Sequence, residues 1–307
     1  MRADWFIATA SRPPLYHDLL QLPDAERKLE GQLHIDVAGD IRQERVARAG
    51  FNGSGVSRNN RLIERHESPY GSYWRSYVFA SNSGTHNLFS CPLGSGSGAA
   101  VPEADGGEII FNLPNGLHAF MLVDGKGRRL EKASLAIVSD ARRPDRAVED
   151  GVSCMNCHAR GLIAKGDQVR ASVERNPNAF TPAEADTVRA LYPPEETLKT
   201  LFAKDNQRFA RAVEATGARL TATEPIASLV GQFEKDLDMT TAAAELGLSP
   251  AELTGRLDQS ATLARTLGPL KVPGGSVQRQ VFTESFPKLV RELNGGTYVA
   301  PEVIGRP

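Results

Sequence analysis

The sequence lacks the features of three large classes of protein. It has three cysteines among 307 residues, too few for a disulfide-stapled scaffold, and a chain of this length buries a core without one. Its formal net charge of −1 argues against a nucleic-acid partner, because such proteins carry a basic surplus that neutralises phosphates. No apolar run reaches the roughly 18 residues that a membrane-spanning helix needs. We therefore expect no nucleic acid and no membrane span.

The periodicity of apolar residues divides the chain into three parts. Short helices are predicted after Pro13 and Pro14, from Asp24 onward and over 41–49. From about residue 70, aromatic and β-branched residues predict strands at 73–79, 87–91, 108–111, 118–123 and 135–138. The segments 108–111 and 118–123 form the best hairpin. Helices are predicted again at 182–191, 195–215, 225–234, 239–246, 250–258 and 284–293. The expected fold class is α+β, with a helical N-terminal part, a small antiparallel β region and a mainly helical C-terminal part.

Two of the three cysteines lie in the sequence Cys-Met-Asn-Cys-His at residues 154–158. This C-x-x-C-H pattern is the attachment signal for c-type haem. Two thiols one helical turn apart can both form thioethers with the vinyl groups on one porphyrin edge, and the adjacent imidazole then ligates the iron. We predict one covalent haem c on Cys154 and Cys157, with His158 as proximal iron ligand. The predicted domains are 151–307, which binds the haem, and 1–150, which packs on it.

Two other uses of these cysteines compete with haem attachment. Cys91, Cys154, Cys157 and His158 together make up a Cys₃His set for a structural zinc ion. Zinc sites usually present two close pairs of ligands, however, and Cys91 stands alone in the sequence. A redox-active dithiol is the other alternative, but it favours a thioredoxin-like βαβ setting that is not visible here.

Several stretches resemble a large group of bacterial monohaem c-type cytochromes, the planctomycete-type cytochromes. The two main ones are GEIIFNLPNG at 107–116, followed by FMLVD at 120–124, and VSCMNCHARGL at 152–162. Segments at 2–6, 11–16 and 49–61 are similar to the same group. The resemblance implies haem attachment at Cys154 and Cys157 with His158 as ligand, but it supplies no substrate. It also implies that sequence precedes residue 2 in the complete protein.

The sixth iron ligand decides between electron transfer and ligand chemistry, because an electron-transfer haem generally has Met or His there. We prefer His66, with Met239 and His17 as alternatives, since bis-His ligation is a recognised haem option. His66 follows a dense polar run at 58–65. Such a run is usually a solvated surface, although its arginines and asparagines could also clamp haem propionates.

The leading hypothesis is a periplasmic cytochrome that transfers single electrons to or from a redox partner protein, a dehydrogenase or an oxidase. The alternative is a peroxidase-like haem oxidoreductase with an open distal side, in which His66, Arg61 or Arg65 assists proton transfer. The first residues lack the basic start and apolar stretch of an export signal. Because c-type haem attachment proceeds outside the cytoplasm, we expect this chain to be a portion of an exported protein whose signal lies upstream.

Overall fold

The structure is a computed structural model that describes residues 2–54, 59–94, 101–133, 138–139, 146–221 and 224–294. Among the described residues, helices make up 47% and β structure, most of it in one six-stranded antiparallel sheet, makes up 17%, which confirms the predicted α+β class. The chain forms two compact units, Met1–Ser228 and Leu229–Pro307. This division does not coincide with the predicted boundary between residues 150 and 151, because the helix that carries both motif cysteines packs on the sheet of the first unit.

Four short helices precede the sheet. They are α1 (Ala3–Ala10), α2 (Leu15–Leu19), α3 (Glu26–Gln32) and α4 (Val37–Arg42). Asp36 caps α4, because its carboxylate accepts a hydrogen bond from the Gly39 N–H at 2.9 Å. The predicted helix over 41–49 is wrong beyond Arg42. Glu44 has a φ of 55°, a left-handed conformation that ends a helix, and the chain then enters the first strand.

The sheet is a simple antiparallel meander in which each strand pairs with the next one along the chain. Its strands are β1 (Ala47–Asn52), β2 (Asn60–Ser68), β3 (Gly71–Phe79), β4 (Gly106–Asn112), β5 (His118–Asp124) and β6 (Arg129–Leu130). The β4–β5 pairing confirms the predicted hairpin. The predicted strand over 87–91 is wrong, because the Asn87 side chain accepts the Phe89 N–H at 3.0 Å and closes a turn there. The strand predicted at 135–138 lies mostly outside the described residues.

Successive side chains of each strand point to opposite faces of the sheet. One face, the core face, includes Leu62, Tyr73 and Met121, and it packs in the same cluster as residues of α2 to α4 and of two later helices. The other face, the motif face, includes Trp74 and Phe120, which pack in one cluster with Cys154 and Phe202. The sheet therefore separates a large structural core from the surface that receives the cysteine motif.

The helices of the rest of the chain follow the sheet. They are α5 (Val152–Cys157), α6 (Val169–Arg175), α7 (Pro182–Leu191), α8 (Glu195–Ala215), α9 (Pro225–Phe233), α10 (Met239–Glu245), α11 (Pro250–Gln259), α12 (Ala261–Leu267) and α13 (Arg279–Leu293). Thr181 and Glu184 form a capping box at the start of α7, as Ser249 and Glu252 do at α11. The predicted bounds of α7 and α8 are confirmed at both ends. Within the described ranges, no helix combines the length and apolar character that crossing a bilayer requires.

A half-buried acid in α3 makes the stability of the first unit depend on pH. Burial and the neighbouring Glu26 raise the pKa of Glu30 from 4.5 to about 7. Because the pKa of Glu30 is higher in the folded than in the unfolded state, its protonation stabilises the fold below pH 4.5, and that contribution is lost as the pH rises through 7. Glu30→Gln is therefore expected to raise the free energy of unfolding by about 1–2 kcal/mol near pH 8 and to change it little near pH 4. Denaturant titrations at both pH values check this. The exposed Glu214→Gln serves as control, and an equal effect of Glu30→Gln at both pH values would contradict it.

Candidate functional site

The helix that carries the cysteine motif is fixed against the motif face at its first turn. Gly151 precedes α5 with a φ of 80°, a conformation that favours glycine. A Cβ at this position would lie 2.6 Å from the Ser11 carbonyl oxygen. Cys154, one turn into the helix, is 2% exposed and packs in the cluster of Trp74 and Phe120. The fold thus turns the first motif cysteine toward the sheet.

Both motif cysteines and the motif histidine line one cavity on the motif face. Cys154, Cys157 and His158 all contribute to its wall, and its volume is about 180 Å³. Most of the other wall side chains are apolar; they include Phe51, Ile63, Trp74, Val78, Ile110, Leu122, Leu130, Leu162, Ile163 and Phe202. The structure therefore brings the three predicted site residues together around an apolar cavity, as a ligand-binding site requires.

The hydrogen bonds of His158 leave one ring nitrogen directed at this cavity. Its Nδ1 lies 3.1 Å from the Gly161 carbonyl oxygen, which can only accept a hydrogen bond, so Nδ1 carries a proton. Its Nε2 lies 3.6 Å from Oε2 of Glu108. Burial lowers the pKa of His158, but Glu108 and the Gly161 carbonyl raise it above its ordinary value. A hydrogen bond from Nδ1 to a backbone carbonyl is the arrangement that orients a histidine to ligate a metal through Nε2.

The loop after the motif is held by α8, which fixes the carbonyl that orients His158. The Asn206 side chain accepts the Leu162 N–H at 2.7 Å and donates to the Leu162 carbonyl at 3.0 Å. Gly161 has a φ of 94°, and a Cβ there would lie 2.4 Å from Asn206 Oδ1. Sequence reasoning did not single out Gly161 or Asn206. A glycine three residues after the motif histidine was the only available signal.

Glu108 is the site residue that sequence reasoning missed. It lies on the motif face of β4, lines the cavity and approaches His158. Burial by itself raises the pKa of Glu108, but His158, Cys154 and Arg61 lower it below its ordinary value. An acid between glycine and two isoleucines in a predicted strand was a weak signal for it, because alternation alone also places such an acid on a solvated face.

The environment of Cys154 favours the protonated form of its thiol. Burial raises its pKa well above the ordinary value, and Glu108 and Asp150 raise it further. A catalytic or redox-active thiol needs a lowered pKa, in an electropositive and partly exposed setting. The surroundings of Cys154 therefore do not favour the dithiol alternative.

His66, the preferred sixth ligand, lies on the core face and not at the cavity. Both of its ring nitrogens are engaged by carboxylates, with Nδ1 3.0 Å from Asp40 and Nε2 3.0 Å from Glu64. Glu64 also accepts a 2.6 Å hydrogen bond from the buried Arg48. A polar run such as 58–65 is usually a solvated surface, but residues 60–65 belong to β2 and are mostly buried. Alternation along β2 places Arg61 on the motif face and His66 on the core face.

The two alternative sixth ligands are also absent from the cavity wall among the described residues. His17 is 2% exposed, and its Nε2 lies 2.9 Å from Oδ2 of Asp150. Met239 begins α10 in the second unit, where it packs against that unit's own core. His66 and His17 therefore present no free ring nitrogen to the cavity, and Met239 belongs to the second unit.

A fourth histidine lies closer to the site. His118 begins β5 on the motif face and stacks on Phe209 with ring centroids 4.3 Å apart. Within the described part of the chain, neither of its ring nitrogens has a hydrogen-bond partner. Burial, together with the charge of His158, lowers its pKa to about 3, so it is neutral. It does not line the cavity among the described residues.

The described residues contain no group of three or more His, Cys, Asp or Glu side chains arranged to hold a metal ion. A Cys₃His zinc site built on Cys91 is therefore not preformed there. Cys91 is partly exposed, and its Sγ lies 3.9 Å from the Gly84 carbonyl oxygen. No protein-family model, curated protein or solved structure matches this chain.

Proposed function

We propose that the protein is an exported monohaem c-type cytochrome that transfers single electrons. Cys154 and Cys157 are its thioether anchors and His158 is its proximal ligand. The observation that supports this proposal is the shared cavity, whose wall includes Cys154, Cys157 and His158. Its partner is another redox protein, a dehydrogenase or an oxidase.

The residues around the cavity fit a haem. The wall is mainly apolar, and it contains two buried polar atoms without hydrogen-bond partners among the described residues, Arg61 Nε and Ser54 Oγ. The cavity volume of about 180 Å³ is below the roughly 300–1,000 Å³ of common ligand pockets. The cavity thus encloses only part of such a group, and covalent anchors retain a cofactor that burial alone would lose.

The resemblance to planctomycete-type cytochromes supports the same proposal. The two stretches that carry it, 107–124 and 152–162, are separated in the sequence by residues 125–151, yet each contributes to one cavity wall. Glu108 comes from the first stretch, and Cys154 and His158 come from the second. A shared cavity gives a physical reason for the two stretches to occur together.

When bound, a haem supplies a one-electron ferric–ferrous couple. The protein's part is to hold its surroundings fixed. The Gly161 carbonyl orients the His158 ring, while the stacked pair of Trp74 and Phe202, with ring centroids 4.6 Å apart, keeps water from part of the cavity. Trp74 Nε1 also donates to Asp205 at 2.9 Å, which locks α8 to the sheet. A rigid, largely apolar pocket suits electron transfer, because little reorganises when the charge changes.

Intact-protein mass spectrometry tests the proposal. The chain is to be expressed behind an export signal in cells with c-type haem maturation machinery. The expected mass is that of the polypeptide plus one haem, unchanged after acid–acetone extraction. A mass equal to the polypeptide alone, with the folded protein recovered, would overturn the proposal. Metal analysis of the same sample tests the zinc alternative, which requires one zinc per chain.

A peroxidase-like oxidoreductase is the second candidate, and the position of Glu108 favours it. The partly buried carboxylate of Glu108 lies 3.6 Å from Nε2 of His158, and it would supply an acid–base group if His158 held a haem iron. Of the three assisting residues expected from the sequence, Arg61 lines the cavity. Arg65 instead binds Asp205 at 2.8 Å, and His66 is on the core face.

Optical spectra with added ligands separate the two candidates. For electron transfer we expect a six-coordinate, low-spin spectrum that cyanide and carbon monoxide leave unchanged, because a protein side chain occupies the sixth position. A high-spin spectrum that shifts rapidly with either ligand would contradict electron transfer and favour the oxidoreductase.

A further inference from the structure

One end of the cavity contains polar groups that the rest of the protein does not satisfy. Arg61 is 9% exposed, and its Nε has no hydrogen-bond partner within the described ranges. The same is true of Oγ of Ser54, which is also buried in the cavity wall. Buried polar atoms are nearly always hydrogen-bonded, so two orphaned donors in one wall point to a missing acceptor.

These groups lie together at the end of the β1–β2 hairpin. Arg61 is directly opposite Phe51 in the strand register, and Ser54 follows Phe51 by three residues. The ammonium of Lys165, a third lining residue, lies 6.0 Å from the centroid of the Phe51 ring. Its segment is pinned beside β1, because the Gly50 N–H donates to Asp167 at 2.8 Å and the Gln168 N–H donates to the Gly50 carbonyl at 2.8 Å.

The charges in the cavity wall leave this end positive. Glu108 is the acidic residue of the wall among the described positions, and it is engaged by His158 at 3.6 Å. Arg75 also lines the cavity, but its guanidinium is bound to Glu26. The charge of Glu108 also acts on Arg61, but neither Arg61 nor Lys165 forms a salt bridge within the described ranges, and Arg61 Nε has no hydrogen-bond partner there. A buried guanidinium with an unpaired N–H is costly, which favours an anionic ligand at this position.

We propose that Arg61, Ser54 and Lys165 form a carboxylate-binding end of the cavity that holds the haem propionates. This inference rests on the proposed function, since it takes the haem on Cys154 and Cys157 as the source of the carboxylates. The two arginines of β2 on the motif face then have different roles. Arg61 lines the cavity, whereas Arg65 forms a salt bridge with Asp205 of α8.

The test compares the haem-loaded wild-type protein with Arg61→Gln, Arg61→Lys and a control, Arg128→Gln. Arg128 is 71% exposed and pairs with Asp124 away from the cavity wall. Resonance Raman spectra report the propionate bending bands, and redox titration gives the midpoint potential. Haem content is measured in each sample by the pyridine haemochrome assay, and thermal melts confirm that each variant is folded.

We expect Arg61→Gln to shift the propionate bands and lower the midpoint potential, with its haem content unchanged. Loss of a nearby cation favours the ferric state, which carries one more positive charge. The midpoint potential of Arg61→Lys is expected to lie close to that of the wild type, and that of Arg128→Gln is expected to be unchanged. Unchanged bands and potential in a haem-loaded Arg61→Gln protein would overturn the proposal.

A titration with sodium acetate distinguishes the two sources of carboxylate. If propionates occupy the site, acetate leaves the wild-type Soret band and potential unchanged. A saturable acetate effect that disappears in Arg61→Gln would overturn the propionate assignment in favour of a separate carboxylate ligand. A wild-type protein without covalent haem would overturn the proposed function itself, and the haemochrome assay reads that outcome independently of Arg61.

Discussion

A double variant, Cys154→Ala with Cys157→Ala, is expected to contain no covalently bound haem. Both thiols line the cavity that also receives His158, and thioether formation consumes one thiol for each vinyl group. Each single variant keeps one thioether, and a residual vinyl group then shifts the pyridine haemochrome spectrum to longer wavelength. The measurement is the haemochrome spectrum of the purified protein, normalised to protein concentration.

The third cysteine supplies the matched control. Cys91 does not line the cavity among the described residues, so Cys91→Ala is expected to retain the full haem content. Loss of haem in Cys91→Ala at unchanged stability, or covalent haem in the double variant, would contradict the assigned anchors. Equal loss of bound zinc in all three cysteine variants would instead support the Cys₃His alternative.

Glu64→Gln is expected to lower the free energy of unfolding by about 3–5 kcal/mol, the usual cost of breaking a buried ion pair. Glu64 and Arg48 are both 0% exposed and lie 2.6 Å apart, so the variant leaves the guanidinium without its charge partner. The Tyr77 hydroxyl also donates to Glu64, at 3.2 Å. Urea titrations near pH 7 give the difference in unfolding free energy.

The pH dependence of that difference identifies its cause. Burial raises the pKa of Glu64, but Arg48 and His66 lower it from 4.5 to about 2. A lowered folded pKa stabilises the fold above pH 4.5, and the contribution is lost as the pH falls toward 2. The gap between wild type and Glu64→Gln is therefore expected to narrow below pH 4.5. Glu67→Gln, at a 64% exposed position on the same strand, is expected to cost no more than about 1 kcal/mol; a comparable loss there would contradict the account.

Local signals predicted the helices and the central hairpin well. At the start of α7, the side chains of Thr181 and Glu184 each accept a hydrogen bond from the backbone N–H of the other residue. The start of this helix therefore depends only on neighbouring residues. β2 could not be predicted in the same way. Its charged residues looked solvated, and what buries them is pairing with partners distant in sequence, such as Asp205 for Arg65 and Arg48 for Glu64. Pairing of buried charges with residues distant in the sequence produces no periodic pattern of apolar residues, so the sequence alone does not reveal it.

Only the part of the candidate site whose residues are adjacent in the sequence was predictable. Cys154, Cys157 and His158 are neighbours in sequence, so their spacing alone indicates their role. Glu108 and Arg61 reach the same cavity from strands far away in the sequence, and no spacing rule connects them to the motif. His66 failed as a cavity residue for a related reason. The face of β2 on which a side chain lies depends on strand register, and β2 was not predicted as a strand.

The most direct test of the central claim is the pyridine haemochrome spectrum of the wild-type chain after maturation and acid–acetone extraction. Covalent attachment through two thioethers predicts one haem c per chain that remains with the protein, with the absorption maximum of a haem whose two vinyl groups are both saturated. Haem that is extracted into the solvent, or a folded protein that contains none, would contradict the claim.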